Sequence, residues 1–129
     1  MKILDSDHWI ALLRGKLDLR GRVTADEELA ITAISVGELV YGAERSAHPT
    51  KKLLEIDTLL ATITVVAYDD DAAHRFGLIK TALERRGERL ADADLQIAAT
   101  ALSRGVPLVT HNGRHFGRVT ELALEDWLI

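Results

Sequence analysis

The chain has 129 residues, with 16 Lys and Arg, 20 Asp and Glu, no cysteine and a formal charge of −4. That length fits a single domain over residues 1–129, large enough to hold a core without covalent staples. The lack of cysteine excludes a disulfide scaffold, a thiol nucleophile and a cysteine-built zinc site, and the acidic balance limits nucleic-acid binding to a local basic patch or a bridging cation.

Lys2–Leu4 reads as a short strand. Ser6 or Asp7 then caps a helix carrying Trp9, Ile10, Leu12 and Leu13, and Gly15 is its natural stop. Residues 16–28 are polar and read as loop. Leu29–Ile34 is a second apolar, β-branched run. Ser35 opens Ser-Val-Gly-Glu, a capping-box spacing, which predicts a helix to about Ala47. Pro49 suits the first turn of the next helix, whose apolar side is Leu53, Leu54, Ile56, Leu59 and Leu60. Ile63–Val66 is the strongest strand signal, and Asp69–Asp71 cap a helix with a core face of Ala72, Phe76, Ile79 and Leu83, ended by Gly87. Asp92 starts a helix that is apolar nearly all round and is closed by Gly105. Val106–Thr110 is a fourth strand, and Leu122–Asp126 a short fifth. The uncharged stretch around residues 59–68 falls well short of the ~20 residues that cross a membrane, and the first residues have no apolar signal core. The expected place of action is the cytoplasm.

Strands alternating with helices predict an α/β fold with a mostly parallel sheet covered on both faces. Ligands of such sheets bind beyond the carboxyl ends of the strands. Asp5 follows the first strand, Glu38 lies early in the helix after the second, and Asp94 lies in the first turn of the helix before the fourth. Singly, each has a plain structural role: strand end, capping-box partner, helix-dipole complement. Together, if strands one, two and four are neighbours, they form a cluster. Two carboxylates ~4 Å apart repel by about 4 kcal/mol at an effective dielectric near 20. A hard divalent cation such as Mg²⁺ relieves that repulsion through oxygen ligands.

Four segments carry a family resemblance. Ile3-Leu4-Asp5-Ser6, then Ser35 to Gly42 around Glu38, then Asp94-Leu95-Gln96-Ile97-Ala98-Ala99, and finally Leu108-Val109-Thr110-His111-Asn112 with Phe116 resemble in order the motifs of PIN-domain ribonucleases of the VapC toxin type. The resemblance spans nearly the whole chain. It implies a PIN-like fold with five strands in the order 3-2-1-4-5 and Mg²⁺- or Mn²⁺-dependent endonucleolytic cleavage of RNA. It carries Asp5, Glu38 and Asp94 over as the catalytic, metal-binding acids. It also implies a homodimer and a small cognate antitoxin, VapB-like, with a DNA-binding domain. Many members place a fourth acid near Asn112 or His115, where this chain is neutral.

On this reading Ser6 and Thr110 are auxiliary residues that orient carboxylates, Asn112 is an auxiliary ligand, and Asp92 is a helix cap or a substitute ligand. Arg75, Arg85, Arg86, Arg114 and Arg118 are candidate contacts to RNA phosphates. Two alternatives stay open. A silent PIN module acting only through partner binding draws support from the neutral fourth position. A phospho-accepting receiver-like domain also uses acids at strand ends, but it needs a lysine after its fifth strand, and the chain's lysines are Lys2, Lys16, Lys51, Lys52 and Lys80.

Overall fold

A computed structural model describes residues 1–129. Its strands are β1 (Lys2–Leu4), β2 (Leu29–Thr32), β3 (Thr64–Val66), β4 (Leu108–Val109) and β5 (Leu124–Glu125). Its helices are α1 (Ser6–Leu13), α2 (Ala33–Glu44), α3 (Pro49–Leu60), α4 (Asp70–Arg85), α5 (Asp92–Arg104) and the one-turn α6 (Gly113–Phe116). The five strands form one sheet in the order β3-β2-β1-β4-β5. All four pairings are parallel, so the expected sheet order holds and no antiparallel edge strand is present.

The three central strands, β2, β1 and β4, bury both of their faces. Successive side chains along a strand point to opposite faces. Ile3, Ala30 and Leu108 enter one core, where Ile97, Ala98 and Ala101 of α5 and Phe116 of α6 meet them. Leu4, Ile31 and Val109, one residue further along, enter the other core with Trp9 of α1, Leu39 of α2, Ile56 of α3 and Trp127. Two cores on one sheet require apolar residues at consecutive positions, which is the pattern of a parallel sheet covered by helices on both sides.

Several helix ends differ from the expected ones. The cap of α1 is Asp5, whose side chain accepts from the Ser6 N–H at 2.9 Å, so neither Ser6 nor Asp7 caps it. The cap of α2 is Thr32, whose hydroxyl accepts from the Ser35 N–H at 3.0 Å. That helix therefore begins two residues before Ser35, and Glu38 falls in its second turn. The competition is local: a buried Thr at a strand end caps as well as the serine behind it. The cap of α5 is Ala91, with no side-chain hydrogen bond. Asp92 is exposed and ion-paired to Lys80 Nζ at 2.9 Å, so it neither caps the helix nor turns toward the other acids as a substitute ligand. The segment after β4 folds into α6, for which the sequence carries no helical signal. Asp69 caps α4, and Gly87 and Gly105 take the left-handed conformation after their helices, with φ of 71° and 65°. No helix is long and apolar enough to cross a membrane.

Candidate active site

The parallel register places the carboxyl ends of β1, β2 and β4 side by side. The chain leaves each of these strands into a functional segment. After β1 comes Asp5, which is only 8% exposed. After β2 the chain enters α2 directly, and Glu38 stands at that helix's solvent side. After β4 come Thr110, His111 and Asn112. Asp94 is half-buried in the first turn of α5.

These acids feel one another. Burial pushes the Asp5 carboxyl above its ordinary range. The Thr110 hydroxyl pulls it back, while the charges of Asp7 and Asp94 raise it further. Glu38 is raised by desolvation and then by the charges of Asp5 and Asp94, with the Ser35 side chain partly offsetting them. Burial also raises Asp94, and His115 acts against it. The three carboxylates thus share one edge of the sheet, each raised by burial, with the charge of Asp94 acting on Asp5 and the charges of Asp5 and Asp94 acting on Glu38.

They do not meet as a ready-made cage: no three His, Asp or Glu side chains are gathered closely enough to form a complete ligand set. The hollow beside Glu38 and the hollow beside Asp94 are separate, the first lined by α1, α2 and α3 and the second by Arg89, Leu90, Ala91, His115 and Arg118. Uncompensated carboxylates are expected to splay in this way. The donor set still suits a hard divalent cation. Every carboxylate donor is oxygen, and Mg²⁺ typically takes one or two protein carboxylates with waters completing its shell.

Asp5 is held most firmly. Its Oδ1 accepts from the Ser6 N–H and its Oδ2 from the Thr110 hydroxyl at 2.8 Å. Thr110 therefore orients a carboxylate, whereas Ser6 acts through its backbone. Asn112 sends its backbone N–H to Thr110 Oγ1 at 3.1 Å, and its side-chain Nδ2 lies 3.1 Å from His115 Nδ1. Of Asn112 and His115, the latter is the one that acts on Asp94, opposing the effect of burial.

Of the five arginines singled out, Arg118 lines the hollow that contains Asp94. Its guanidinium is anchored on the Arg89 carbonyl at 2.6 Å. Arg86 is partly occupied, donating to the Arg118 carbonyl at 2.7 Å. Arg75 and Arg86 line a different hollow between α4 and residues 118–121. Arg85 and Arg114 are exposed. Arg89, in the loop before α5, lines the same hollow as Asp94. Sequence reasoning missed Asp7, whose carboxylate reaches the segment after β4.

The family model of the PIN domain matches residues 2–122. Among curated proteins, the chain is 38% identical over 101 residues to ribonuclease VapC2 of Haemophilus influenzae, covering 78% of this chain and 76% of that one. It is 36% identical over 127 residues to the tRNA(fMet)-specific endonuclease VapC of Shigella flexneri, covering 97% and 96%. Among solved structures, DNA-bound VapBC from Salmonella typhimurium matches with a TM-score of 0.90 at 34% identity, over 98% of this chain and 97% of that one.

Proposed function

The chain belongs to the PIN-domain family, in its VapC branch, and from that premise we propose that it is a divalent-metal-dependent endoribonuclease, acting in the cytoplasm as the toxin of a toxin–antitoxin pair. The observation that carries this reading is the set of Asp5, Glu38 and Asp94 at one sheet edge, with carboxyl groups raised by burial, Asp5 further by the charges of Asp7 and Asp94 and Glu38 further by those of Asp5 and Asp94. A raised carboxyl in a cleft marks a group poised for chemistry or for a cation.

Asp5 and Asp94 would hold Mg²⁺ or Mn²⁺, with Glu38 completing the site directly or through water. The cation, when bound, supplies a water of lowered pKa and neutralises charge on the phosphate. The chain's own residues do the rest. Ser6 N–H and Thr110 fix the Asp5 carboxylate, one donor to each of its oxygens. Glu38, raised and solvent-facing, orients the attacking water and is a better proton acceptor than a free glutamate. Arg118 and Arg89, beside Asp94, offer positive charge to the RNA backbone. The net charge of −4 is no obstacle, because the cation bridges acidic protein to anionic RNA.

The same reading includes a homodimer and a small antitoxin. The similarity to a DNA-bound VapBC supports a partner with a DNA-binding part. The hollow lined by Ile10, Leu13, Leu39, Ala43 and Ile56 also carries two acids, Glu38 and Glu55, and two bases, Arg14 and Lys52. An antitoxin segment with apolar side chains on one face fits its apolar lining. Sedimentation of the isolated chain at micromolar concentration is expected to show a dimer.

The test is cleavage of RNA by the purified chain, free of antitoxin, with and without EDTA. tRNA(fMet) is the first substrate to try, after the relative of that name. Cleavage is expected to stop with EDTA and to return with Mg²⁺ or Mn²⁺. Cleavage indifferent to chelation, or none on any RNA, overturns the reading; in the second case the silent, partner-binding module takes its place.

A further inference from the structure

Asp7 has no part in the proposed cation site, yet its two oxygens face two different donors. Its Oδ1 accepts from Nδ1 of His8 at 2.7 Å, and its Oδ2 accepts from the backbone N–H of His111 at 2.9 Å. These bonds outweigh the effect of burial and hold the Asp7 carboxyl below its ordinary range, opposite to Asp5 two residues away.

His8 is fully buried, and its Nε2 accepts the backbone N–H of Trp127 at 3.0 Å. A ring nitrogen that accepts an N–H carries no proton of its own. The proton of the neutral ring therefore sits on Nδ1 and is donated to Asp7. Thr110 completes the arrangement. Its hydroxyl oxygen accepts from the Asn112 N–H, and its one proton has two carboxylates in reach, Asp5 Oδ2 at 2.8 Å and Asp7 Oδ2 at 3.5 Å. The Asp5 oxygen is the nearer by 0.7 Å, so the proton goes to Asp5.

We propose that Asp7 is a positioning residue of the cleavage site: a doubly accepting carboxylate that fixes the turn after β4 and so aims the Thr110 hydroxyl at Asp5, with His8 tying Trp127 into the same assembly. The inference rests on the assignment of Asp5 to the cation site. Asparagine is not an adequate substitute at position 7. Its amide would face either the His8 Nδ1–H or the His111 N–H, a donor against a donor.

The test is a double-mutant cycle on the full chain with Asp7→Asn, Thr110→Val and both together. It is read as Mn²⁺ affinity by titration calorimetry and as kcat and KM for RNA cleavage. Asp7→Asn is expected to weaken Mn²⁺ binding and to lower kcat by roughly 10- to 100-fold, the usual effect of losing a partner of a metal ligand, with little change in KM. The double variant is expected to lose no more than Thr110→Val alone, because Asp7 acts through Thr110; additive losses overturn the proposal. Nitrogen-15 spectra of the wild type are expected to show His8 protonated on Nδ1 and bare on Nε2, and the reverse tautomer also overturns it. Where Asp7→Asn does not fold, the tautomer and the pair Thr110→Ser, retaining Mn²⁺ affinity, against Thr110→Val, losing it, decide the matter. A wild type that binds Mn²⁺ and cleaves RNA, with Asp7→Asn unchanged, overturns this inference alone. A wild type that does neither removes the proposed function and this inference with it.

Discussion

At the scale of single residues, each proposed ligand has two consequences that share one cause. Asp5→Asn and Asp94→Asn remove a cation ligand, so each is expected to abolish most cleavage. Each also removes a charge that the cation-free fold tolerates poorly, so the cation-free melting temperature is expected to rise. Activity assays and melts in EDTA check the pair; wild-type rates in both variants would remove the assignment. Asp70→Asn is the control, since Asp70 is an exposed first-turn residue of α4, and it is expected to be nearly silent. The neutral fourth position is sharpened by the structure. His115 acts on the charge of Asp94, while Asn112 is engaged with Thr110 and with His115 itself. His115→Asp is therefore expected to strengthen Mn²⁺ binding and to lower the cation-free melting temperature, with an upper bound of about 4 kcal/mol for adjacent like charges before screening. Asn112→Asp is expected to show both effects more weakly. Calorimetric titrations and melts on the two variants separate them, and a larger effect from Asn112→Asp would make position 112, rather than 115, the neutral member of the acidic set.

At the scale of elements, the helices were largely legible because periodicity and stop signals agree over many residues. The Ala72, Phe76, Ile79 and Leu83 spacing and the Asp69 cap identified α4, and Gly87 and Gly105 ended their helices as expected. Boundaries were less legible where two caps compete within three residues, as Thr32 and Ser35 do. One-turn α6 is too short to carry a period at all. The acids at the strand ends were readable because each sits beside a strong local signal: a strand end or a helix start. The role of Asp7 was not, because its partners His111 and Trp127 lie at the other end of the chain, 104 residues from Asp7 and 119 from His8. The Thr32 cap gives a prediction at this scale. Thr32 is fully buried and starts the helix that carries Glu38. Thr32→Val keeps the shape but removes the acceptor for the Ser35 N–H. It is expected to cost about 1–2 kcal/mol of stability, readable by urea denaturation, and to lower cleavage through the displaced first turn of α2. An unchanged denaturation midpoint would show that α2 holds its start without the cap.

At the scale of the whole molecule, the raised and lowered carboxyls divide the pH axis between them. Asp5, Glu38 and Asp94 bind protons more tightly in the folded chain than in the unfolded one. They destabilise the cation-free fold when charged, and protonation relieves them as pH falls from neutrality through their raised values. Asp7 and Glu125 are lowered, and their contribution is present above the unfolded carboxylate range and lost as pH falls through their folded values. Without a cation, stability is therefore expected to rise on mild acidification and then to fall as the second group protonates. A bound cation supplies at neutral pH the relief that protons supply in mild acid. Mn²⁺ at a hundred times its dissociation constant adds about 2.7 kcal/mol to the folded state. For a chain of this size that is a rise in melting temperature on the order of 10 °C. Thermal melts from pH 4 to 8, with Mn²⁺ and with EDTA, are expected to differ most at neutral pH and to converge as pH falls, because protons and cation compete for the same oxygens. A cation shift of equal size across that range would mean that the metal binds away from Asp5, Glu38 and Asp94. The same series on Asp5→Asn, which has lost both a proton site and a ligand, is expected to flatten the acid-side rise and the Mn²⁺ shift together.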